Sequence, residues 1–249
     1  MKISIITISY NAAETLEETI LSVLNQTYSN LEYIVVDGAS TDESMAIVDK
    51  YRDKIDRVIC EPDEGMYFAM NKGISIATGD VIGILNADDT YASDDIIQKV
   101  VTKLEASNAD SLYGDLHYVD RKRVKTVVRR WKAGAFSRSF FLKGWMVPHP
   151  TFFVKKQVYD EYGLFNTDLR TSADYEFMLR VLYKGNISTT YLDEVMVHMK
   201  RGGQSNLSLQ NRIRANKEDR LAWVLNGIKP ETFTFLKKPF RKISQFVHL

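Results

Sequence analysis

Asp88 and Asp89 stand side by side at the end of an apolar run, in "VIGILNADDTY" over residues 81–91. Two adjacent carboxylates repel each other and resist ionising together unless a cation or water-filled space relieves them. Paired hard oxygen donors suit Mg2+ or Mn2+, metals that keep waters and are shared with substrate phosphates. A turn followed by a helix N-cap also accounts for the pair, since Asp suits both positions. The next helix, however, already has its own start in "SDD" at Ser93–Asp95.

Similar residues end the other N-terminal apolar runs. The first closes in Ser9, Tyr10 and Asn11, the second in Asp37 and Gly38, the third in Glu61, Asp63 and Gly65, the fourth in Asn86, Asp88 and Asp89. Ligands of open parallel sheets sit outside the carboxyl ends of the strands. One Asp at a strand end is most simply a turn residue. Four polar strand ends in succession describe a rim. Four scattered histidines and one cysteine offer no zinc spacing. The glycine fingerprints of dinucleotide and P-loop sites are missing after the first strand. A nucleotide fits what is left, with base and ribose at Asp37 and a diphosphate held through a metal on Asp88–Asp89.

The elements that must carry this rim alternate in type. "KISIITIS" predicts a strand, and Leu16, Ile20, Val23 and Leu24 predict a helix within 14–26. A strand over 31–36, a helix from Asp42 to about Arg52, a strand over 57–60, a helix over 67–77 and a strand over 80–85 follow. That rhythm predicts βαβ units and an α/β, Rossmann-like, mostly parallel sheet with helices on both faces. The rhythm then breaks. "SLYGDLHYVD" and "RVKTVVRRW" predict an antiparallel hairpin turning near Asp120–Lys122, and an irregular aromatic stretch spans 136–153. A helix over about 174–183, short strands over 187–192 and 195–198, the glycine turn "KRGGQS" and a helix over 207–225 complete the chain. The expected division is a main domain over 1–205, with halves 1–92 and 93–205, and a C-terminal helical extension over 206–249.

Length and composition fit an ordinary globular protein: 249 residues, 45% hydrophobic and 26% charged. Cys60 has no partner for an internal disulfide, and its apolar run "RVIC" predicts a buried, inert thiol. No signal peptide and no apolar run of transmembrane length is found, so a cytoplasmic location is expected. The net charge of +1 divides unevenly, with −7 over residues 1–199 and +8 from Lys200 onward. An acidic body favours a metal, and nothing in the pattern calls for nucleic acid.

The stretches "SIITISYNAAETLEETILSVLNQTYSNLEYIVVDGASTDES", "EPDEGMYFAMNKGISIATGDVIGILNADD", "PHPTFFVKK" and "TSADYEF" together resemble the family 2 glycosyltransferases of the GT-A fold. The likeness is dense over residues 1–92 and continues in patches to about residue 205. It implies transfer of a sugar, with inversion and no covalent intermediate, from a nucleotide-diphosphate donor (a UDP-sugar by family habit). The hydroxyl acceptor would be a glycan or lipid-linked oligosaccharide of a bacterial surface polysaccharide, and the cofactor Mn2+ or Mg2+.

The resemblance also implies roles residue by residue. Thr7, Tyr10 and Asn11 line the base pocket, Asp37 meets base or ribose, and Asp63 and Lys72 lie near the nucleotide or its phosphates. Asn86 and Asp88 stand on the nucleotide-sugar side, and Asp89 is the direct metal ligand. The late acidic motif nominates Asp174 as the base that deprotonates the acceptor. Ala173 replaces the commoner first acid there, Glu176 is the alternative base, and helix capping is the plainer role for Asp174. His198 with the "KRGGQS" glycines would supply a metal ligand or a lid over the diphosphate, and His149 would stand near the acceptor. Trp131, Phe140, Phe141, Trp145 and Phe152 either stack a sugar ring or fill the core.

Two further classes compete. A sugar-nucleotide nucleotidyltransferase would share the metal and the nucleotide, but "SYNAAET" lacks a glycine- and basic-rich triphosphate loop. A non-catalytic carbohydrate-binding protein would need neither the Asp pair nor a late acid. Finally, Phe233, Leu236, Phe240, Ile243, Phe246 and Val247 recur at helical spacing among Lys237, Lys238, Arg241 and Lys242. That pattern predicts a basic amphipathic segment over 233–249 able to lie on an anionic membrane, as readily as a tail that packs on the domain.

Overall fold

The computed structural model of the chain describes residues 1–121, 126–201, 209–230 and 234. Its strands are β1 (Ile3–Ser9), β2 (Leu31–Asp37), β3 (Arg57–Cys60), β4 (Val81–Asn86), β5 (Asp89–Tyr91), β6 (Ser111–Val119), β7 (Val127–Trp131), β8 (Phe153–Lys155) and β9 (Thr189–Lys200). Its α-helices are α1 (Leu16–Leu24), α2 (Ser44–Lys50), α3 (Met66–Ile76), α4 (Ile96–Ser107), α5 (Lys156–Tyr162), α6 (Ala173–Met178) and α7 (Leu209–Leu225). One sheet runs β3-β2-β1-β4-β8-β6-β9-β5, with β7 paired to β6. β3, β2, β1 and β4 are parallel, as the alternating pattern predicts.

All seven residues of β1 are buried, which is the signature of a central strand covered on both faces. Alternation sends Ile6, Ile8, Ile34 and Val36 into one apolar cluster and Ile3, Ile5, Tyr33 and Val35 into another across the sheet. α1 lays Leu16, Ile20 and Val23 on the second cluster. α3 lies against β1 because residue 73 is glycine: a Cβ there would stand 2.5 Å from Ile6 Cγ2.

The second half departs from the pattern in several places. The two short strands expected over 187–198 are one strand, β9, parallel to β6. Register shifts around Asp115 interrupt that ladder, and they break the hydrophobic alternation that would have revealed a single strand. β5 and β8 are three residues each and too short to leave a period. The aromatic stretch holds two 3-10 turns, and the 174–183 helix is α6 continued by a π-helical segment, Leu179–Lys184. Of the expected hairpin, β6 and β7 pair antiparallel, while residues 122–125 of its turn lie outside the described residues.

Cys60 corrects an expectation. It is exposed, because β3 is a four-residue edge strand with solvent beside it. α7, within the expected extension, does not stand apart: Ala222 and Trp223 are fully buried in the same cluster as β1 and α6. No described helix is long and apolar enough to cross a membrane.

Candidate active site

At the carboxyl ends of β1 and β2 two turns interlock. Asn11 and Ala39 both have positive φ, 48° and 59°, a conformation that costs a non-glycine residue free energy unless its surroundings impose it. Here the surroundings do. Asp37 Oδ1 accepts from the Ser40 amide at 2.7 Å and Oδ2 from the Ser40 hydroxyl at 2.7 Å. The Ser40 hydroxyl in turn accepts from the Asn11 amide at 2.8 Å, and Asn11 Oδ1 accepts from the Thr41 amide at 2.8 Å. Asp37 is fully buried, so its carboxylate shapes the turn from below, while Tyr10 stands 56% exposed on the rim. Gly38 lets Tyr10 close over the backbone, since a Cβ there would lie 3.3 Å from Tyr10 Cδ2, and Asp63 Oδ2 lies beside the same position.

α3 supplies the cation of this rim. Lys72 ion-pairs with Asp63 and, at 2.8 Å, with Glu61. Partial burial works against its charge, but the bonds to Asp63 and Glu61 outweigh it and raise its pKa. The structure thus joins Tyr10, Asn11, Asp37, Asp63 and Lys72. Thr7 is not with them. It is fully buried, and its hydroxyl accepts from Tyr33 at 3.1 Å inside the core.

The tight turn between β4 and β5 gives Asp88 and Asp89 opposite surroundings. Asp89 is fully buried at the start of β5, with Oδ2 accepting from Asn86 Nδ2 at 3.1 Å and its carbonyl accepting from the Thr19 hydroxyl at 2.8 Å. Burial first, and the neighbouring Asp88 second, push Asp89 well above the usual carboxylate range. Asp88 is half-buried at the rim, and burial raises it as well. Asp89, the expected direct metal ligand, is thus the buried acid of the pair, and Asp88 the one at the rim. β5 is what turned them: a three-residue strand leaves no pattern in the sequence, yet it pins Asp89 opposite Met199. The same register puts His198 opposite Thr90, on the other face of the ladder from Asp89, where its ring stacks on His117 at 6.0 Å. His198 is not brought to Asp89, and burial lowers its pKa. The glycines of the expected lid, 202–203, lie outside the described residues.

The fit of this turn to a divalent ion rests on its oxygens. Asn86 Oδ1 and Asp89 Oδ1 are buried without hydrogen-bond partners, beside the half-buried Asp88. Such hard donors suit Mg2+ or Mn2+. Among the described residues no group of three or more His, Cys, Asp or Glu could hold an ion unaided. The donor set fits an ion that takes most of its ligands from water and phosphate, as Mg2+ does.

A second cluster joins α6 to α3. Asp174, in the first turn, accepts from the Tyr67 hydroxyl at 2.9 Å, and Tyr67 is in the first turn of α3. Burial, then Asp174, raises the Tyr67 phenol well above its ordinary value and keeps it a donor. His149 packs edge-on against Phe165 at 5.7 Å. Burial lowers its pKa, and Asp174 acts in the opposite sense, so the imidazole and the acid share one neighbourhood. Asn71, beside Lys72, clamps Phe165 through both its amide groups, at 2.9 and 3.0 Å. Tyr67 and Asn71 are contributors that sequence reasoning missed, although both lie in the quoted "MYFAMNKG" stretch. Glu176, the alternative base, is committed elsewhere: it is buried in a two-point pair with Arg180 at 2.7 and 3.1 Å. Phe141, Trp145 and Phe152 are core, whereas Trp131 and Phe140 are half-buried.

A protein-family model, Glycosyl transferase family 2, matches residues 4–163. The chain belongs to glycosyl transferase family 2. It is 30% identical over 208 residues to a "PGL/p-HBAD biosynthesis glycosyltransferase" of Mycobacterium bovis, an alignment covering 82% of this chain and 78% of that one. It is 26% identical over 245 residues to an uncharacterized glycosyltransferase of Haemophilus influenzae, covering 91% and 75%. Among solved structures, TarS 1–349 of S. aureus in complex with UDP-GlcNAc superposes with a TM-score of 0.72 at 20% identity, covering 97% of this chain and 73% of that one. A mannosyltransferase of Pyrobaculum calidifontis in complex with GDP-Man and Mn2+ gives 0.68 at 19% identity, covering 96% and 69%. This family 2 chain is a glycosyltransferase with the GT-A fold, as the sequence resemblance implied.

Proposed function

We propose that this enzyme transfers a hexosyl or N-acetylhexosaminyl group from a UDP-sugar to a sugar hydroxyl of a glycan acceptor, with inversion at the anomeric carbon. The observation that carries this reading is the Tyr67–Asp174 hydrogen bond of 2.9 Å. It ties a carboxylate from the second half of the chain to the first turn of α3, the helix that also carries Lys72. The UDP-GlcNAc held by TarS supports a uridine donor. A nucleotidyltransferase or a non-catalytic sugar-binding protein finds no support beside a family of transferases.

In the proposed reaction Tyr10 packs on the base, and the Asn11 and Ser40 turns hold base and ribose in register above Asp37. Lys72 offers positive charge to the phosphates. Asp174 accepts the proton of the acceptor hydroxyl as its oxygen bonds to the anomeric carbon. The bond from that carbon to the diphosphate oxygen breaks on the opposite side, so one displacement inverts the centre. His149 lies beside Asp174 on the acceptor side. Asp89 Oδ1 and Asn86 Oδ1, with Asp88 beside them, would hold Mn2+ or Mg2+, which when bound would neutralise charge growing on the leaving diphosphate. Thr7 and His198 have no role in this reading.

The test is thermal unfolding of the whole chain with UDP-sugars and GDP-sugars, with and without Mn2+. A ligand that binds only the folded state raises its melting temperature, by about 2.7 kcal/mol of stability at one hundred times Kd. Stabilisation by a UDP-sugar that depends on Mn2+ is expected. No shift with any nucleoside diphosphate sugar would overturn the reading. We further propose that the enzyme works at the inner face of a cytoplasmic membrane on a lipid-linked acceptor. The amphipathic segment 233–249 that motivates this lies, apart from Thr234, outside the described residues.

A further inference from the structure

The helix that carries Asp174 starts at Ala173 and continues as a π-helical segment to Lys184, and its own N-cap residue, Ser172, makes no side-chain capping bond. The first amide groups of any helix need acceptors from elsewhere. The acceptor comes from α7. One oxygen of Glu218, Oε2, takes the Thr171 amide at 2.7 Å, the Thr171 hydroxyl at 2.7 Å and the Ser172 amide at 3.1 Å. Glu218 is 9% exposed, so these bonds form away from bulk water. Trp223 of α7 and Asn226, just beyond its end, grip the next turn. Trp223 Nε1 donates to the Tyr175 hydroxyl at 3.0 Å, and Asn226 Nδ2 donates to Glu176 Oε1 at 3.1 Å. Residues 171, 172, 175 and 176 are thus tied to one rigid support, and Asp174 lies between the ties.

We infer that Glu218 is a positioning residue for Asp174, holding the start of α6 so that Asp174 meets the Tyr67 hydroxyl. This rests on the proposed role of Asp174 as the base. Nothing in the local sequence marks Glu218, which is 46 residues from Ser172. Glutamine at 218 removes the charge but keeps an oxygen that can accept the same bonds. Alanine removes both.

The experiment is an NMR titration of the Asp174 carboxyl carbon in the full chain labelled with carbon-13 aspartate, the signal being assigned by its loss in Asp174→Asn. A hydrogen bond to a carboxylate favours its charged form, so losing the Tyr67 bond raises the midpoint. Both variants lose the Glu218 charge, so the Asp174 midpoint in Glu218→Ala is expected to lie above that in Glu218→Gln by about half a unit or more. Mn2+-dependent UDP affinity should stay within about twofold in both variants, because the strand-end rim is untouched. An Asp174 midpoint in Glu218→Ala equal to that in Glu218→Gln would overturn the inference. Thr171→Val, which removes one donor and keeps the carboxylate, should give a smaller rise in the same direction if Glu218→Ala does not fold. No rise in that variant also overturns it. Activity retained by Asp174→Asn would sink the base assignment alone and leave the titration result standing.

Discussion

The turn between β4 and β5 gives two neighbouring carboxylates different solvents, one at the rim and one in the core. A buried acid avoids the cost of ionisation by keeping its proton. Burial and the neighbouring Asp88 raise Asp89 well above the usual range, so a cation set against this acid favours its ionised form. Asn keeps the shape of Asp without the charge. With Mn2+ present, Asp89→Asn is expected to lower UDP release by about a hundredfold or more. Near wild-type, Mn2+-dependent release by that variant would remove the metal from Asp89. The pH dependence has a defined sign. A group whose folded pKa is raised contributes its stability fully below its unfolded pKa, near 3.9 for Asp, and loses it as pH rises through the folded value. In chelator, Asp89→Asn should therefore melt higher than wild type at pH 8, with the gap closing towards pH 4. A gap that widens towards acid would contradict a raised Asp89.

Helices here act as supports more than as carriers of chemistry. α3 seats on β1 through Gly73 and offers three successive kinds of side chain to the site: Tyr67 to Asp174, Asn71 to the Phe165 backbone and Lys72 to Asp63. α7 plays the same part for α6, and its anchor is Trp223. That ring is fully buried, packs against Tyr183 at 5.5 Å and donates to Tyr175. Trp223→Ala opens a cavity in the core and is expected to cost about 3–5 kcal/mol in denaturant unfolding. Trp223→Phe keeps most of the apolar contact but removes the hydrogen bond to Tyr175, and should cost about 1–3 kcal/mol. A loss below about 1 kcal/mol for the alanine variant would mean that α7 is not part of the folding unit.

Across the whole molecule charge is divided, −7 over residues 1–199 and +8 from Lys200 onward. α7 faces outward with Ile213, Leu221, Val224 and Leu225 exposed in a chain segment that also carries Arg214 and Lys217. An apolar and basic face of this kind suits an anionic bilayer, where each basic group adds about 1 kcal/mol near the surface. Reversing Lys237, Lys238, Arg241 and Lys242 to Glu in the full chain is expected to abolish sedimentation with phosphatidylserine vesicles at low salt. Mn2+-dependent UDP binding should be unchanged. Wild-type sedimentation by the reversed variant, or sedimentation indifferent to salt, would remove the proposed membrane role.

Residues 1–92 were legible because their determinants are local. Apolar runs and helical spacing mark β1 to β4 and α1 to α3, and polar residues at four strand ends mark the rim. Parallel strands buried on both faces leave no other place for them. Asp174 and His149 were legible only through likeness to a family, since no short-range pattern links position 149 or 174 to position 67. What folding alone decided is which side chains meet and which are sealed. β5 pairs across more than a hundred residues with β9 and so turns Asp89 inward and His198 away. An edge position exposes Cys60, and a carboxylate on α7 completes the cap of α6. Burial, and with it pKa and reach, belongs to the packed chain, because dielectric and neighbours are set by residues distant in sequence.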